Sequence, residues 1–168
     1  MSWHTSGMLI HADFTDDYPR LLKILGLRAE PLEEDRVSFE DATSSSMEGL
    51  GIGVVDGWTC LFSSFALMLV EENGVAKIAK KADVFSMMLE GSSGAAGFEW
   101  WSRGKKIRER MVVAGEIITD NGKPLRQEKQ VFINEEDDEQ RVLLLMEKLT
   151  VPIERLVQVS FSVYSCDV

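Results

Sequence analysis

The sequence predicts one α+β domain in which an antiparallel β-sheet, a meander of hairpins, is packed by two or three α-helices. Two hairpin signals in the middle of the chain and an amphipathic helical stripe near each end support this fold class. The chain has 168 residues, of which 45% are hydrophobic and 27% are charged. Because this is the usual size and composition of a globular domain, we treat residues 1–168 as one domain.

The first part of the chain predicts one strand and one helix before a long polar segment. Met8–His11 is a short apolar run that is typical of a strand. A helix is expected near residues 15–25, where Thr15 can cap the first turn. Residues 28–50 are rich in turn-forming and acidic residues. We therefore expect a long loop there, with at most one edge strand at Arg36–Glu40.

The clearest local signal is the dipeptide Asp56-Gly57, which favours a two-residue hairpin turn. It lies between Ile52–Val55 and Trp58–Phe62, two apolar segments of strand length. These two segments are therefore expected to pair. The sequence further predicts a strand at Ala66–Val70 and a short helix at Asn73–Lys81.

A second hairpin is predicted around Ser102-Arg103-Gly104. Its arms are Gly97–Trp101 and Lys105–Val113, and a strand at Asp83–Leu89 precedes them. The second arm alternates with a period of two, which predicts one buried and one solvated face. The apolar set is Ile107, Met111 and Val113, and the solvated set is Lys106, Arg108 and Arg110.

The end of the chain predicts a helix followed by a strand. Five acidic residues begin a helix over residues 135–149, since acidic side chains favour the positive end of the helix dipole. Pro152 ends this helix and can open a short helical turn. Val157–Tyr164 then alternates between apolar and polar residues, which predicts a half-buried strand.

The formal net charge of −10 restricts the possible partners. Phosphate backbones repel such a surface, so general nucleic-acid binding is not expected. The charge favours a basic protein partner, and it is equally compatible with solubility alone. No apolar run is long enough to span a membrane and no signal peptide is recognisable, so we expect a cytoplasmic protein without membrane association. Cys60 and Cys166 are expected to be reduced packing residues, with a single disulfide as the alternative.

Histidine is too scarce for an obvious catalytic constellation. His4 and His11 are the only two, no G-x-S-x-G nucleophile motif occurs, and no spacing typical of a metal site is found. The glycine-rich segment Gly91–Gly97 invites a phosphate-loop interpretation, but it leads into a strand and no lysine follows. A flexible connection between strands is the better interpretation. We expect no catalytic residue, no cofactor and no metal.

Two surfaces are candidates for binding a partner. The first is the aromatic and basic hairpin, because tryptophan and arginine often dominate binding energy at interfaces. The same residues could form an ordinary solvated sheet face. The second is the acidic start of the last helix, whose charges could simply complement the helix dipole. The candidate interface residues are Trp100, Trp101, Arg103, Arg108, Arg110, Glu135 and Glu136.

A set of motifs resembles small uncharacterised bacterial α+β proteins, loosely of the toxin-immunity type. The motifs are Gly57–Phe62, Gly91–Gly94, Phe98–Trp101 with Gly104 and Arg108, and Gly122–Glu128. They span residues 57–128 and are structural in kind, so the resemblance assigns no functional residue. It implies a protein that binds another protein.

These observations lead to two hypotheses of function. The first is a non-enzymatic protein-binding protein, and within that class an immunity protein that neutralises a bacterial toxin through an acidic surface. The alternative is a small-ligand or nucleotide-binding module that uses the glycine-rich segment and the aromatic hairpin. An enzyme with a carboxylate-based site is neither indicated nor excluded by the sequence.

Overall fold

The computed structural model describes residues 3–167, without the side chains of residues 33–35, and has an α+β fold. Among these residues, nine strands form one antiparallel sheet. The strands are β1 (His4–Ile10), β2 (Ala29–Val37), β3 (Leu50–Val55), β4 (Trp58–Ser63), β5 (Val84–Glu90), β6 (Ala95–Ser102), β7 (Lys105–Val113), β8 (Glu116–Asn121) and β9 (Phe161–Cys166). Their order across the sheet is β2-β9-β3-β4-β1-β5-β6-β7-β8. The predicted antiparallel sheet is therefore confirmed.

Helices cover both faces of this sheet. They are α1 (Tyr18–Ile24), α2 (Phe39–Ala42), α3 (Glu72–Ala79), α4 (Arg126–Asn134), α5 (Asp138–Leu149) and α6 (Ile153–Leu156), with a 3₁₀ helix at Ala66–Leu69. Buried residues of α2, α4, α5 and α6 join one apolar cluster with Phe62, Phe85 and Phe161, and we call this side face 1. Buried residues of α1 and α3 join a second cluster with Ile52 and Leu61 on the opposite side, face 2.

Both predicted hairpin turns are present. Asp56 and Gly57 have φ angles of 51° and 80°, and Arg103 and Gly104 have φ angles of 54° and 78°. Positive φ at both central residues is the requirement of the tight turn that matches the twist of paired strands. A third turn of this kind, Ala114-Gly115, joins β7 to β8.

Several predictions for the first half of the chain were wrong in position or type. Residues 28–50 are not mainly a loop, because β2 occupies Ala29–Val37 and α2 follows it. The segment predicted as a strand at Ala66–Val70 contains the 3₁₀ helix, whose Met68 and Leu69 are exposed, as is Phe65 just before it. Ala66 is buried, and Leu67 and Val70 pack against the face 2 cluster. The apolar run therefore reflects partial packing of a short helix and not a strand.

Two elements near the end of the chain had not been predicted, and one was displaced. β8 was missed because five of its six residues are exposed, so it has no buried face that would create a pattern. The helix α4 was missed as well. The last strand, β9, begins at Phe161 and not at Val157, which lies 55% exposed just after α6.

The predicted solvated face of β7 was also wrong. Arg108 is only 2% exposed, whereas Ile107 is 41% exposed. The pairing of β6 with β7 shifts between Trp100 and Trp101, which are opposite Arg108 and Lys106. This irregularity inserts Ile107 as an extra residue, and an extra residue reverses which side chains point to each face.

Candidate functional site

A groove lies on face 2, beside the 3₁₀ helix. Its volume is about 280 Å³ and it crosses the sheet from β1 to β8. We call it the groove. The strand side chains that line it include Ser6, Ser86, Met88, Glu99, Glu109, Met111 and Thr119, and the 3₁₀ helix adds Leu67 and Met68.

The floor of the groove depends on a glycine. Gly97 of β6 lies opposite Met111 of β7 in the register. A Cβ atom at Gly97 would lie 2.5 Å from the Met111 methyl carbon and 2.8 Å from the Arg110 carbonyl oxygen. The absence of a side chain therefore lets Met111 lie across the strand. Met68 is 68% exposed at the wall, so its flexible thioether and those of Met88 and Met111 border the groove.

A cluster of charges marks the end of the groove nearest α3. The Lys106 ammonium lies 2.9 Å from Glu72, 3.0 Å from Glu109 and 3.2 Å from Glu99. Glu99 and Glu109 are directly opposite each other on β6 and β7. Three carboxylates against one ammonium leave a net charge of about −2 when all are ionised. We call these four residues the carboxylate cluster.

Hydrogen bonds favour the charged forms of Lys106 and Glu109. Burial opposes the charge of Lys106, but its hydrogen bonds to Glu72, Glu109 and Glu99 outweigh burial and raise the pKa of the ammonium. The Asn121 amide donates to Glu109 at 2.7 Å, and together with Lys106 it lowers the pKa of that carboxyl. A carboxylate with a lowered pKa is a poor proton donor at neutral pH. Glu109 is therefore suited to holding a cation and not to general acid catalysis.

A second, smaller depression of about 220 Å³ lies on the other side of Met68. It contains His4 and Glu90, whose Nδ1 and Oε1 atoms are 2.5 Å apart. The hydroxyls of Ser92 and Ser93 both donate to the Glu90 carboxylate, at 2.7 Å. Hydrogen bonds from Ser93, Ser92 and His4 lower the pKa of Glu90 to about 2.

This arrangement differs from that of an activated serine nucleophile. Such a serine donates to the base that removes its proton, whereas Ser92 and Ser93 donate to a carboxylate that is itself paired with His4. The backbone N–H of Ser93 also donates to Glu90, at 2.8 Å. The glycine-rich turn therefore directs its N–H groups to an anion that belongs to the protein. A phosphate would have to displace Glu90.

Family models, curated proteins and solved structures gave no match to this chain. Within residues 3–167, no group of three or more potential metal ligands is arranged to hold an ion. None of the helices in this range is long and apolar enough to cross a membrane.

The predicted interface residues of the hairpin are not on one surface. Trp101 is 5% exposed in the face 2 cluster, and Trp100 is partly buried against the face 1 cluster, so the two side chains point to opposite faces of the sheet. Arg103 is exposed in the turn. Arg110 is half-buried, with its guanidinium 4.8 Å from the centre of the Phe132 ring. These four side chains therefore lie in four different environments and do not form one continuous surface.

Arg108 is buried in the structure, at 2% exposure, which corrects its predicted place on a solvated strand face. Its Nη2 and Nε atoms donate to Glu128 at 2.9 and 3.0 Å, and Nη1 donates to Asp120. Glu128 is 3% exposed, and its carboxylate also accepts from the backbone N–H of Leu125 at 2.5 Å. The hydrogen bonds to Glu128 raise the pKa of Arg108, although burial opposes this.

The acidic candidates lie at the junction of α4 and α5. Glu136 is exposed and Glu135 is half-buried. The Glu135 carboxylate accepts from the N–H of Asp137 at 3.0 Å, and its carbonyl accepts from Arg141 at 2.6 Å. These contacts hold the turn between two helices on face 1. The acidic surface is therefore separate from the groove.

Sequence reasoning missed the groove, although a signal was present. Ser86, Gly97 and Glu99 are small or polar residues at inward-facing spacing within otherwise apolar strands. Such interruptions indicate a stretch of sheet that no helix covers. Recognising that Ser6 of β1 adjoins these residues requires the strand order, which places β1 beside β5.

Proposed function

We propose that this chain is a non-enzymatic, cytoplasmic protein-binding protein whose groove receives a basic and partly apolar segment of another protein. The observation that carries the proposal is the carboxylate cluster beside a methionine-lined groove. A lysine or arginine of the partner would meet Glu99 and Glu109, whose side chains are 32% and 24% exposed. Apolar parts of the partner would contact Met88 and Met111.

The electrostatics favour a cationic partner at two scales. Locally, the carboxylate cluster keeps negative charge at the groove after Lys106 is counted. Over the whole chain, the net charge of −10 would attract a basic protein and speed its association. Both effects weaken as salt is added.

The lining of the groove supports a protein segment in particular. Methionine side chains are flexible and polarisable, and they are common on surfaces that adapt to peptide partners. Met68, Met88 and Met111 lie around the groove together with Leu67. A shallow surface of this kind suits an extended or helical segment.

Within this class we propose an immunity protein that neutralises a bacterial toxin. The resemblance of residues 57–128 to small proteins of that type supports this finer assignment. A toxin with a basic surface would complement the groove. Co-expression of this chain should restore the growth of cells that express a candidate toxin encoded beside its gene. Loss of this rescue when groove residues are changed would connect the immunity function with partner binding in the groove.

The alternative is a small-ligand module. A volume of about 280 Å³ is near the lower end for small-molecule sites, and the carboxylates favour a small cation over a nucleotide. The glycine-rich turn gives the nucleotide version little support, because its N–H groups already bond to Glu90. A ligand screen by thermal shift with polyamines and with nucleotides would separate these possibilities.

A peptide-display selection tests the protein-binding proposal. We expect the selected peptides to combine lysine or arginine with apolar residues. Their affinity for the double variant Glu99→Gln, Glu109→Gln should fall at least tenfold, since a hydrogen bond to a charged group contributes about 1.5 kcal/mol or more.

The matched control is the double variant Glu135→Gln, Glu136→Gln, which removes the same charge from the acidic surface at the α4–α5 junction. Its affinity for the selected peptides should stay within about twofold of the wild-type value, a difference of about 0.4 kcal/mol. Equal losses in both variants would mean that only net charge matters. A loss confined to the control would assign binding to the α4–α5 junction.

A further inference from the structure

The strand β8 is a second surface with an unusual composition. Among residues 3–167 it forms one edge of the sheet and pairs only with β7. Its Ile117 and Ile118 are 56% and 61% exposed. An edge strand leaves a row of N–H and C=O groups free to pair, so exposed β-branched residues at an edge favour the addition of another strand.

The opposite edge of the sheet is protected in a way that β8 is not. That edge is β2, which contains Pro31, and proline lacks the N–H that a new strand would need. Both edges carry a register irregularity: in β2 it lies between Leu32 and Arg36, and in β8 it lies at Ile118, between the partners of Met111 and Val112. Proline is therefore the feature that distinguishes the β2 edge. β8 contains neither proline nor lysine.

The charges on β8 oppose pairing with a second copy of this chain. Glu116 and Asp120 lie near its two ends, on either side of Ile118. A symmetric antiparallel pair centred on Ile118 would place Glu116 opposite Asp120 twice, and like charges directly opposite are destabilising. Each copy would also bring a net charge of −10.

We propose that β8 is a docking edge for an extended basic segment of another protein, which adds to the sheet as a tenth strand. Backbone hydrogen bonds to β8 would supply affinity, and lysine or arginine near Glu116 and Asp120 would supply specificity. Asp120 already pairs with Arg108, so Glu116 carries more of the unneutralised charge. Thr119 of β8 lines the groove, whereas Glu116, Ile117 and Ile118 do not, and the proposal does not depend on the groove binding a partner.

The test uses a seven-residue peptide that alternates lysine and valine, added to the ¹⁵N-labelled full chain. We expect saturable shifts of the backbone amides of Ile117, Ile118 and Asp120. Two matched peptides separate the contributions: one replaces lysine with glutamate, and the other carries N-methyl groups on alternate amides. Each should bind at least tenfold more weakly than the first peptide.

Variants of the chain complete the test. Ile118→Lys should weaken binding at least fivefold, whereas Ile133→Lys, which makes the same change at an 80% exposed position on α4, should not. Ile117→Pro removes an edge N–H and serves as a second variant if Ile118→Lys perturbs the fold. The variant Glu99→Gln, Glu109→Gln should bind this peptide normally, which separates β8 from the groove.

Three results would overturn the proposal. They are no saturable shift at β8 at millimolar peptide, equal binding of the N-methylated peptide, or an equal loss with Ile133→Lys. Shifts confined to the groove residues would also contradict it, and would instead support the groove as the peptide site.

Discussion

The buried pair of Arg108 and Glu128 provides a quantitative test of how α4 is held to the sheet. Their side chains are 2% and 3% exposed and share three hydrogen bonds of 2.9, 3.0 and 3.3 Å. Removing one partner of a buried pair typically costs about 3–5 kcal/mol, because the remaining charge stays buried. Glu128→Leu leaves Arg108 with Asp120 and the carbonyl of Asn121. We therefore expect Glu128→Leu to lower the free energy of unfolding by about 3 kcal/mol, the lower end of this range. The Leu125 N–H also loses its acceptor, which adds up to about 1 kcal/mol.

Arg108→Met should cost a similar amount, since it leaves Glu128 buried without its cation. The double variant replaces both charges with apolar side chains of similar size. It should lose only about 1–2 kcal/mol, because a buried ion pair and its apolar replacement are often of comparable stability.

Urea denaturation followed by tryptophan fluorescence gives these free energies of unfolding. For a chain of this size, the single variants should lower Tm by roughly 10 °C, from about 2–4 °C per kcal/mol. A loss below about 1 kcal/mol in Glu128→Leu, or a double variant that loses the sum of both singles, would refute the reasoning. Arg155→Ala, which breaks the exposed pair with Asp56 and leaves the hairpin turn unchanged, is the control and should not measurably change stability.

Three further predictions follow from local geometry. Gly122→Ala should be strongly destabilising, because the φ angle of Gly122 is +86° and a Cβ atom there would lie against the Ile107 carbonyl. Gly57→Ala should lower the free energy of unfolding by only about 1–2 kcal/mol, because φ is +80° but a Cβ atom there would contact nothing, and equal losses of Tm in the two variants would contradict this difference. The Glu90 carboxyl should titrate near pH 2 by NMR, so its hydrogen bonds should order residues 90–93 above pH 4.5 and lose this effect as pH falls toward 2. The double variant Ser92→Ala, Ser93→Ala should raise the titration midpoint of Glu90, and an unchanged midpoint would be inconsistent with the hydrogen bonds described. Cys166 should react slowly with a thiol reagent in the native protein and Cys60 only after unfolding, because burial raises the pKa of both thiols and Cys60 is the more buried of the two. A mass lower by two protons before reduction would show a disulfide instead.

The parts of the fold that could be predicted are those set by local chemistry. Asp56-Gly57 and Arg103-Gly104 adopt positive φ at both residues, which short-range turn preferences dictate. The stripe of Val142, Leu143 and Met146 on α5 is likewise a local pattern, and its burial was anticipated.

The parts that could not be predicted depend on long-range pairing. The burial of Arg108 requires the extra residue Ile107 in β7 and a carboxylate that arrives from α4, 20 residues later. Neither fact is visible in the alternation of charged and apolar residues around Arg108. The groove similarly needs strands that are distant in sequence to lie side by side, so its residues appear unrelated when the chain is read in order.

The most direct test of the central claim is site-specific photo-crosslinking from the groove. A benzophenone amino acid replaces Met68, which is 68% exposed at the wall of the groove, and a matched substitution at the 80% exposed Ile133 reports on the far side of α4. In cells of the source organism, position 68 should crosslink one protein through a segment rich in lysine or arginine. That product should disappear in the Glu99→Gln, Glu109→Gln background. Equal crosslinking from positions 68 and 133, or a product that persists without the two carboxylates, would contradict a groove that binds a basic protein segment.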